Sequence, residues 1–188
     1  MSTTQPIRNI QHVRALSKYY LSLGQYRNHL LIVFGLHSAL RIGDILPIRW
    51  RQVYDFNQNC TRKTLTIKEQ KTGKRKTLAL NNKIAKALKH SAATANPHDF
   101  LFANPHTDKP ITRIHARRII RAAGEAIKLP QEISCHSLRK TFGYHAWKNG
   151  VSPAVIMEIF NHSSLNHTRR YLGIVQDDLD TVYMGLGF

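Results

Sequence analysis

The chain has 188 residues, of which 28 are Lys or Arg and 11 are Asp or Glu, giving a formal charge of +17 with the histidines neutral. Hydrophobic residues make up 42 %, which is ordinary for a folded domain and argues against disorder. No apolar run approaches the ~20 residues that span a bilayer. The two cysteines, Cys60 and Cys135, can build neither a disulfide framework nor a four-cysteine zinc site, and a reducing, cytoplasmic setting fits them. So large a charge on so small a body repels itself, and a polyanion relieves that repulsion. Nucleic acid is favoured over an anionic membrane, because no long basic amphipathic helix is available to lie on a bilayer.

Residues 1–8 read as a flexible tail rich in Ser, Thr, Gln and Pro. Residues 9–23 are predicted helical, with Ile10, Val13, Leu16 and Tyr20 at helical spacing and Gly24 as the stop. A second helix over 26–39 is nearly all apolar across 30–36 and must be buried. A helical turn over 42–46 ends before Pro47. The pattern then changes. Leu65, Ile67, Leu78 and Leu80 alternate with polar residues around Lys71-Thr72-Gly73-Lys74, as in a β-hairpin with a glycine-bearing turn. Arg62, Lys63, Lys68, Lys71, Lys74, Arg75 and Lys76 crowd this hairpin against Glu69.

A short helix is predicted over 82–90, then a loop over 96–110 with a brief buried segment at 100–102. A helix over 112–127 carries Arg113, Arg117 and Arg121 at four-residue steps on one face. No intervening acid is expected to pair with them, so they read as a phosphate-tracking stripe more than as a solvated face. A helix over 137–148 ends at Gly150, and Ser152-Pro153 supplies an N-cap and first-turn proline for a helix through Phe160. The fold class is therefore mainly α with a small antiparallel β-hairpin (α+β), as a single domain over 1–188.

Several residues could handle a phosphodiester. Arg41 precedes Asp44 by three positions, so the carboxylate is expected to reach back and hold the guanidinium as a phosphate fork; alone, the pair reads equally well as a salt bridge. His136 and Arg139 share a helical face and offer a proton carrier and a second fork. Tyr171 lies nine residues after His162. A phenol can act as a nucleophile, but with an ordinary pKa near 10 it needs cationic neighbours or a base; an isolated tyrosine is more simply a core aromatic. The 11 histidines raise a metal-dependent nuclease as an alternative. Metal-binding histidines want acidic or cysteine co-ligands, however, and carboxylates are scarce, so no metal ligand is assigned.

Taken in order, these motifs resemble the tyrosine recombinase (phage integrase) family from about residue 9 to 174. Arg41, in Ala-Leu-Arg-Ile-Gly-Asp-Ile-Leu, matches the family's first arginine, and Asp44 its acidic partner. Lys71, in Gln-Lys-Thr-Gly-Lys, matches the hairpin lysine. His136 and Arg139 match the His-x-x-Arg box, and His162 and Tyr171 match the last histidine and the nucleophile. The chain differs at Ala39, where glycine is frequent, at Phe160-Asn161 in place of Leu-Gly, and at Lys140 in place of a histidine.

The resemblance implies the family's catalytic-domain fold and a site-specific recombinase that needs no metal, ATP or other cofactor. Tyr171 would attack the scissile phosphate and leave a 3′-phosphotyrosyl link. Arg41, Arg139 and His162 would stabilise charge, His136 would assist proton movement and Lys71 would protonate the departing 5′-oxygen. The implied partner is double-stranded DNA, bound by a homo-tetramer whose C-terminal segments, 172–188, dock on neighbouring subunits. Lys68, Lys74, Arg75, Lys76, Arg113, Arg117 and Arg121 are expected DNA contacts. With no separate N-terminal clamp domain expected before Arg41, these residues or an accessory DNA-binding protein would supply affinity. A non-catalytic DNA-binding regulator on the same fold and a type IB topoisomerase-like relaxase are the alternatives.

Overall fold

A computed structural model describes residues 4–174 and 176–185. The apolar stretch 30–36 is buried along its whole length and sets the centre of the molecule. It belongs to α2 (Tyr26–His37), against which α1 (Ile10–Ser22), α5 (Asn82–Ala92) and α7 (Cys135–Lys148) pack. Two one-turn helices, α3 (Ile42–Ile45) and α4 (Trp50–Val53), lead into the β-structure. α6 (Arg113–Ala126) packs on α1, α2, α3 and α7. Beyond α7 come α8 (Pro153–Phe160), α9 (Leu165–Leu172) and α10 (Gln176–Gly185).

The predicted hairpin forms from β3 (Thr64–Lys68) and β4 (Arg75–Ala79), antiparallel, with Leu65 opposite Leu78 and Ile67 opposite Lys76. Leu65 and Ile67 alternate inward, as period-two patterning requires. A second, unpredicted pair joins β1 (Tyr54–Asp55) to β2 (Cys60–Thr61). Two residues per strand are too few to leave a periodic signal.

Two apolar cores meet at α7. The larger gathers the elements from α1 to α6 and includes Leu138. The smaller consists of Ala39, Ile156, Phe160 and Leu172, with Phe142, Trp147, Tyr171 and Ile174 packed around them. Gly143 makes this second core compact: a Cβ there would lie 2.7 Å from the Phe160 ring. Ser152 and Pro153 open α8 as predicted, the Ser152 side chain accepting from the Ala154 N–H. Ser164 caps α9 in the same way through the His167 N–H.

The amino-terminal residues depart from the expected tail. Ile7 is fully buried and donates its N–H to Thr141 Oγ1 at 2.8 Å. Arg8 binds the Gly173 carbonyl, and the Thr4 carbonyl accepts from Lys140 Nζ at 2.5 Å. One apolar residue among polar ones gives no periodicity, yet it fills a hole over α7. Residues 1–3 lie outside the described residues. In α10, Asp178 is buried and pairs with Lys148 at 2.8 Å and Arg8 at 3.8 Å, so this helix is fastened to its own body. Tyr183 and Met184 near its end are exposed, and residues 186–188 lie outside the description.

Candidate active site

The site forms where the seam between the two cores meets the hairpin, and its organising feature is the C-terminus of α8. Helix ends leave carbonyls without intrahelical partners and carry partial negative charge. Here three cations supply the missing donors. Arg139 Nη2 donates to the Phe160 carbonyl at 2.7 Å, and Arg41 Nη2 reaches the same oxygen at 3.5 Å. Lys76 Nζ donates to the neighbouring Ile159 carbonyl.

Arg139 projects from the second turn of α7 and is 2 % exposed. Its other terminal nitrogen, Nη1, donates to the Ala39 carbonyl, while Nε has no hydrogen-bond partner. Ala39 holds a positive φ of 56°, which turns the chain between α2 and Arg41; a glycine would take that conformation without strain. Among the described residues no carboxylate forms an ion pair with Arg139. Burial pushes its guanidinium down to about 10, leaving it charged at neutral pH. A buried charge whose hydrogen-bond partners are neutral and which has no ion pair is electrostatically incomplete.

Arg41 is the N-cap of α3, but Asp44 is not its partner. The expected back-reach fails because Asp44 Oδ1 accepts from the Gln70 backbone N–H at 2.8 Å, binding α3 to the hairpin loop. The carboxylate on Arg41 is Glu69, with Nη1 3.1 Å from Oε1. Glu69 is 1 % exposed and also accepts from Thr72 Oγ1 and Asn161 Nδ2, each at 2.7 Å. Burial alone would raise its pKa. The two hydrogen bonds, with the charges of Arg41 and Lys76, outweigh that effect and hold it below the ordinary value.

Asn161 stands in the left-handed conformation, φ 52°, as the residue that ends α8. Asparagine is the usual second choice to glycine there, and its amide gives Glu69 a hydrogen bond that glycine could not.

Tyr171, in α9, is partly buried against the smaller core. Its ring lies 5.0 Å from the His162 ring, 6.5 Å from His136, 5.9 Å from the Arg139 guanidinium and 5.4 Å from Lys140 Nζ, the distances taken to ring centroids. Burial raises the phenol above its usual value and outweighs the opposing pull of Arg139 and Arg41 and of a hydrogen bond with Arg139. His136 has its imidazole lowered by desolvation and then by Arg139, Lys140 and Arg41. His162 is pushed down to about 3 by burial, with His167, Arg139, Arg41 and Lys71 adding to the effect. It is therefore a neutral donor or acceptor rather than a cation. Its Nδ1 lies 3.1 Å from Thr168 Oγ1, and His167 stacks on it at 4.2 Å.

Lys71 is exposed at the hairpin tip and lines a cleft of about 420 Å³ with Arg41, Asp44, Gln70, Arg113 and His136. Arg113 Nη2 donates to Gln70 Oε1 at 2.8 Å and lies against Gly43, where a Cβ would come within 2.6 Å of it. Arg41, Lys71, His136, Arg139, His162 and Tyr171 are thus brought to one locality.

The expected DNA contacts divide. Lys68, Lys74 and Arg75 are exposed. Lys76 is not: it is half-buried, bound to α8 and lowered to about 8 chiefly by burial, because its position opposite Ile67 faces it inward. On α6 the expectation that no acid pairs with the stripe is corrected beyond Arg113. Arg121 pairs with Glu125 at 2.7 Å and Glu132 at 3.5 Å, and Arg117 with Glu132 at 3.7 Å. Glu125 follows Arg121 by four residues, and Glu132 approaches from the next loop. Glu69, Asn161 and Lys140 are the site residues that sequence reasoning passed over. Glu69 had one available signal, as the single acid in a run of bases.

The phage integrase family model matches residues 9–176. The chain belongs to the phage integrase family. It is 36 % identical over 187 residues to a probable integrase/recombinase, YoeC, of Bacillus subtilis (strain 168), covering 100 % of this chain and 99 % of that protein. Its fold matches XerA recombinase with a TM-score of 0.77 at 19 % identity, covering 97 % of this chain and 66 % of that one. It also matches the Tn1549 transposon integrase, solved in complex with a circular intermediate DNA, with a TM-score of 0.69 at 17 % identity, over 99 % of this chain and 67 % of the other. The mainly helical architecture with small antiparallel sheets is that of the tyrosine recombinase catalytic domain. Among the described residues no helix is long and apolar enough to cross a membrane, and no group of His, Cys, Asp and Glu could hold a metal ion.

Proposed function

We propose that this chain cleaves and rejoins DNA strands through a covalent 3′-phosphotyrosyl intermediate on Tyr171, as a site-specific recombinase. The observation that carries the reading is Arg139, a buried guanidinium beside Tyr171 with carbonyl partners and no ion pair among the described residues. A phosphodiester monoanion entering between Arg139 and Arg41 supplies the missing negative charge, in the planar geometry guanidinium suits. The solved relative bound to DNA supports DNA as the partner.

In this reading Tyr171 Oη attacks phosphorus. The O–P bond forms as the P–O5′ bond breaks, and the two arginines stabilise the developing charge on the non-bridging oxygens. His136, neutral at physiological pH, takes the phenolic proton, which the raised pKa of Tyr171 makes necessary. His162 contributes a neutral hydrogen bond. Lys71 gives a proton to the departing 5′-oxygen. The phosphotyrosyl bond retains the energy of the broken link, so rejoining is the reverse reaction. Exchange between two duplexes needs four such centres, which makes a tetramer on DNA part of the proposal.

The test is trapping on nicked duplexes tiled across DNA flanking the coding region, read as a protein–DNA adduct on a denaturing gel. An adduct with the native chain and none with Tyr171→Phe, at unchanged DNA affinity, is the expected result. A regulator on the same fold would bind without forming an adduct, and an adduct formed by Tyr171→Phe would refute the choice of nucleophile.

A further inference from the structure

Lys71 is exposed and its side chain has no fixed partner among the described residues, yet the backbone that carries it is fastened on both sides. Gln70, just before it, is held by Asp44 through its N–H (2.8 Å) and by Arg113 through its side chain (2.8 Å). Thr72, just after it, donates to Glu69 Oε2 at 2.7 Å. Glu69 carries the connection inward, to Arg41 Nη1 through Oε1 and to Asn161 Nδ2 through Oε2. Asn161 immediately precedes His162. The loop is closed on itself as well: the Gly73 N–H donates to the Glu69 carbonyl at 2.8 Å, with φ +68° at Gly73.

A carboxylate that is 1 % exposed is costly to bury, and simple loop stability could be had from apolar packing. What the carboxylate adds is direction. Two oxygens bind three groups on three separate elements: the entry to α3, the hairpin loop and the end of α8.

We infer that Glu69 is a positioning residue for the proton-donating step, a strap that sets the Lys71 loop at a fixed distance from Arg41 and His162. The inference rests on the recombinase reading above, in which Lys71 protonates the 5′-oxygen. Thr72 and Asn161 are the strap's two further attachments. Loss of Glu69 leaves Lys71 chemically intact but misplaced, so the variant behaves as though it lacked the general acid.

A change of leaving group separates this role from support of the fold or of Arg41. The nicked duplex that traps the adduct is prepared with oxygen or with sulfur at the 5′-bridging position. A thiolate leaves without a proton, so general acid catalysis is not needed for the sulfur substrate. Native protein, Lys71→Ala, Glu69→Gln and Thr72→Val are compared in single-turnover cleavage. Thr72 is exposed, so its variant keeps the Glu69–Arg41 pair and puts folding at little risk.

On the oxygen substrate Lys71→Ala and Glu69→Gln are expected to slow cleavage roughly 10²-fold or more, the scale of general acid catalysis, and Thr72→Val less. On the sulfur substrate all three are expected to return to within about threefold of the native rate, and Thr72→Ser to restore the oxygen rate. If Lys71→Ala is rescued by sulfur while Glu69→Gln stays slow on both substrates, the positioning role is overturned and the general-acid reading stands. A Glu69→Gln protein with the native rate on oxygen overturns it equally. If sulfur fails to rescue Lys71→Ala, the assignment of the proton donor falls, and the inference with it.

Discussion

Two sets of arginines in this molecule look alike in the sequence and differ in what surrounds them. Arg117 and Arg121 on α6 are exposed and face Glu125 and Glu132. Arg41 and Arg139 converge on one carbonyl at the end of α8, and Arg139 has no carboxylate of its own among the described residues. The first set is paired with acids of its own, in water, where an ion pair adds little. The second is held in a poorly hydrated seam with charge left over. The difference teaches that spacing along a helix identifies a row of cations but not their availability. An anion is drawn to the place where two guanidiniums share a single carboxylate, Glu69 on Arg41.

The sharpest way to break this comparison is Arg139→Lys. The charge survives but the fork does not, and one ammonium cannot serve Ala39, Phe160 and a phosphate oxygen together. Adduct formation should fall by about 10²–10³, the scale seen when one donor to a developing oxyanion is removed. A single-turnover rate within a few-fold of native would show that the buried fork is dispensable.

Next in size is the pH dependence. The His136 imidazole is lowered from 6.5, so it remains an unprotonated base as the pH falls to that value and gains its proton only below it. The acid limb of cleavage should therefore lie below pH 6.5 and disappear in His136→Gln, which is slower throughout. An acid limb above the ordinary imidazole value would reverse the sign of this argument.

The smallest effect is expected on α6. Removing one cation that neutralises a DNA phosphate should lower the slope of log affinity against log salt by about one. Lys74→Ala and Arg75→Ala, on the exposed hairpin, are expected to show that change in a salt titration of DNA binding. Arg117→Ala and Arg121→Ala should leave the slope almost unaltered, because their charge is already answered by acids. Equal slopes for both pairs of variants would erase the distinction between the two regions.

Much of this arrangement is legible in the sequence. The buried α2, the basic hairpin and the Ser-Pro opening of α8 each rest on a local rule that their own residues state. His136 and Arg139 fall on one helix as their spacing implies. What the sequence hides depends on partners distant in the chain. Spacing pairs Asp44 with its neighbour Arg41, whereas the fold gives Asp44 to Gln70 and gives Arg41 to Glu69, 28 residues away. Lys76 looks like one more surface base until the pairing with Ile67 turns it inward. α9, which carries Tyr171, is only eight residues long, and its inward face, Thr168, Tyr171 and Leu172, holds too few apolar positions to announce a helix. The catalytic roles of the six gathered residues are proposals, supported by their convergence.

The oxygen of Phe160 is shared by two guanidiniums, yet it belongs to the main chain. An alanine scan of this protein would register the ring at position 160 and pass over the atom that both arginines use. Every side-chain replacement leaves it in place. The backbone, not the letter at position 160, carries the acceptor on which both forks converge.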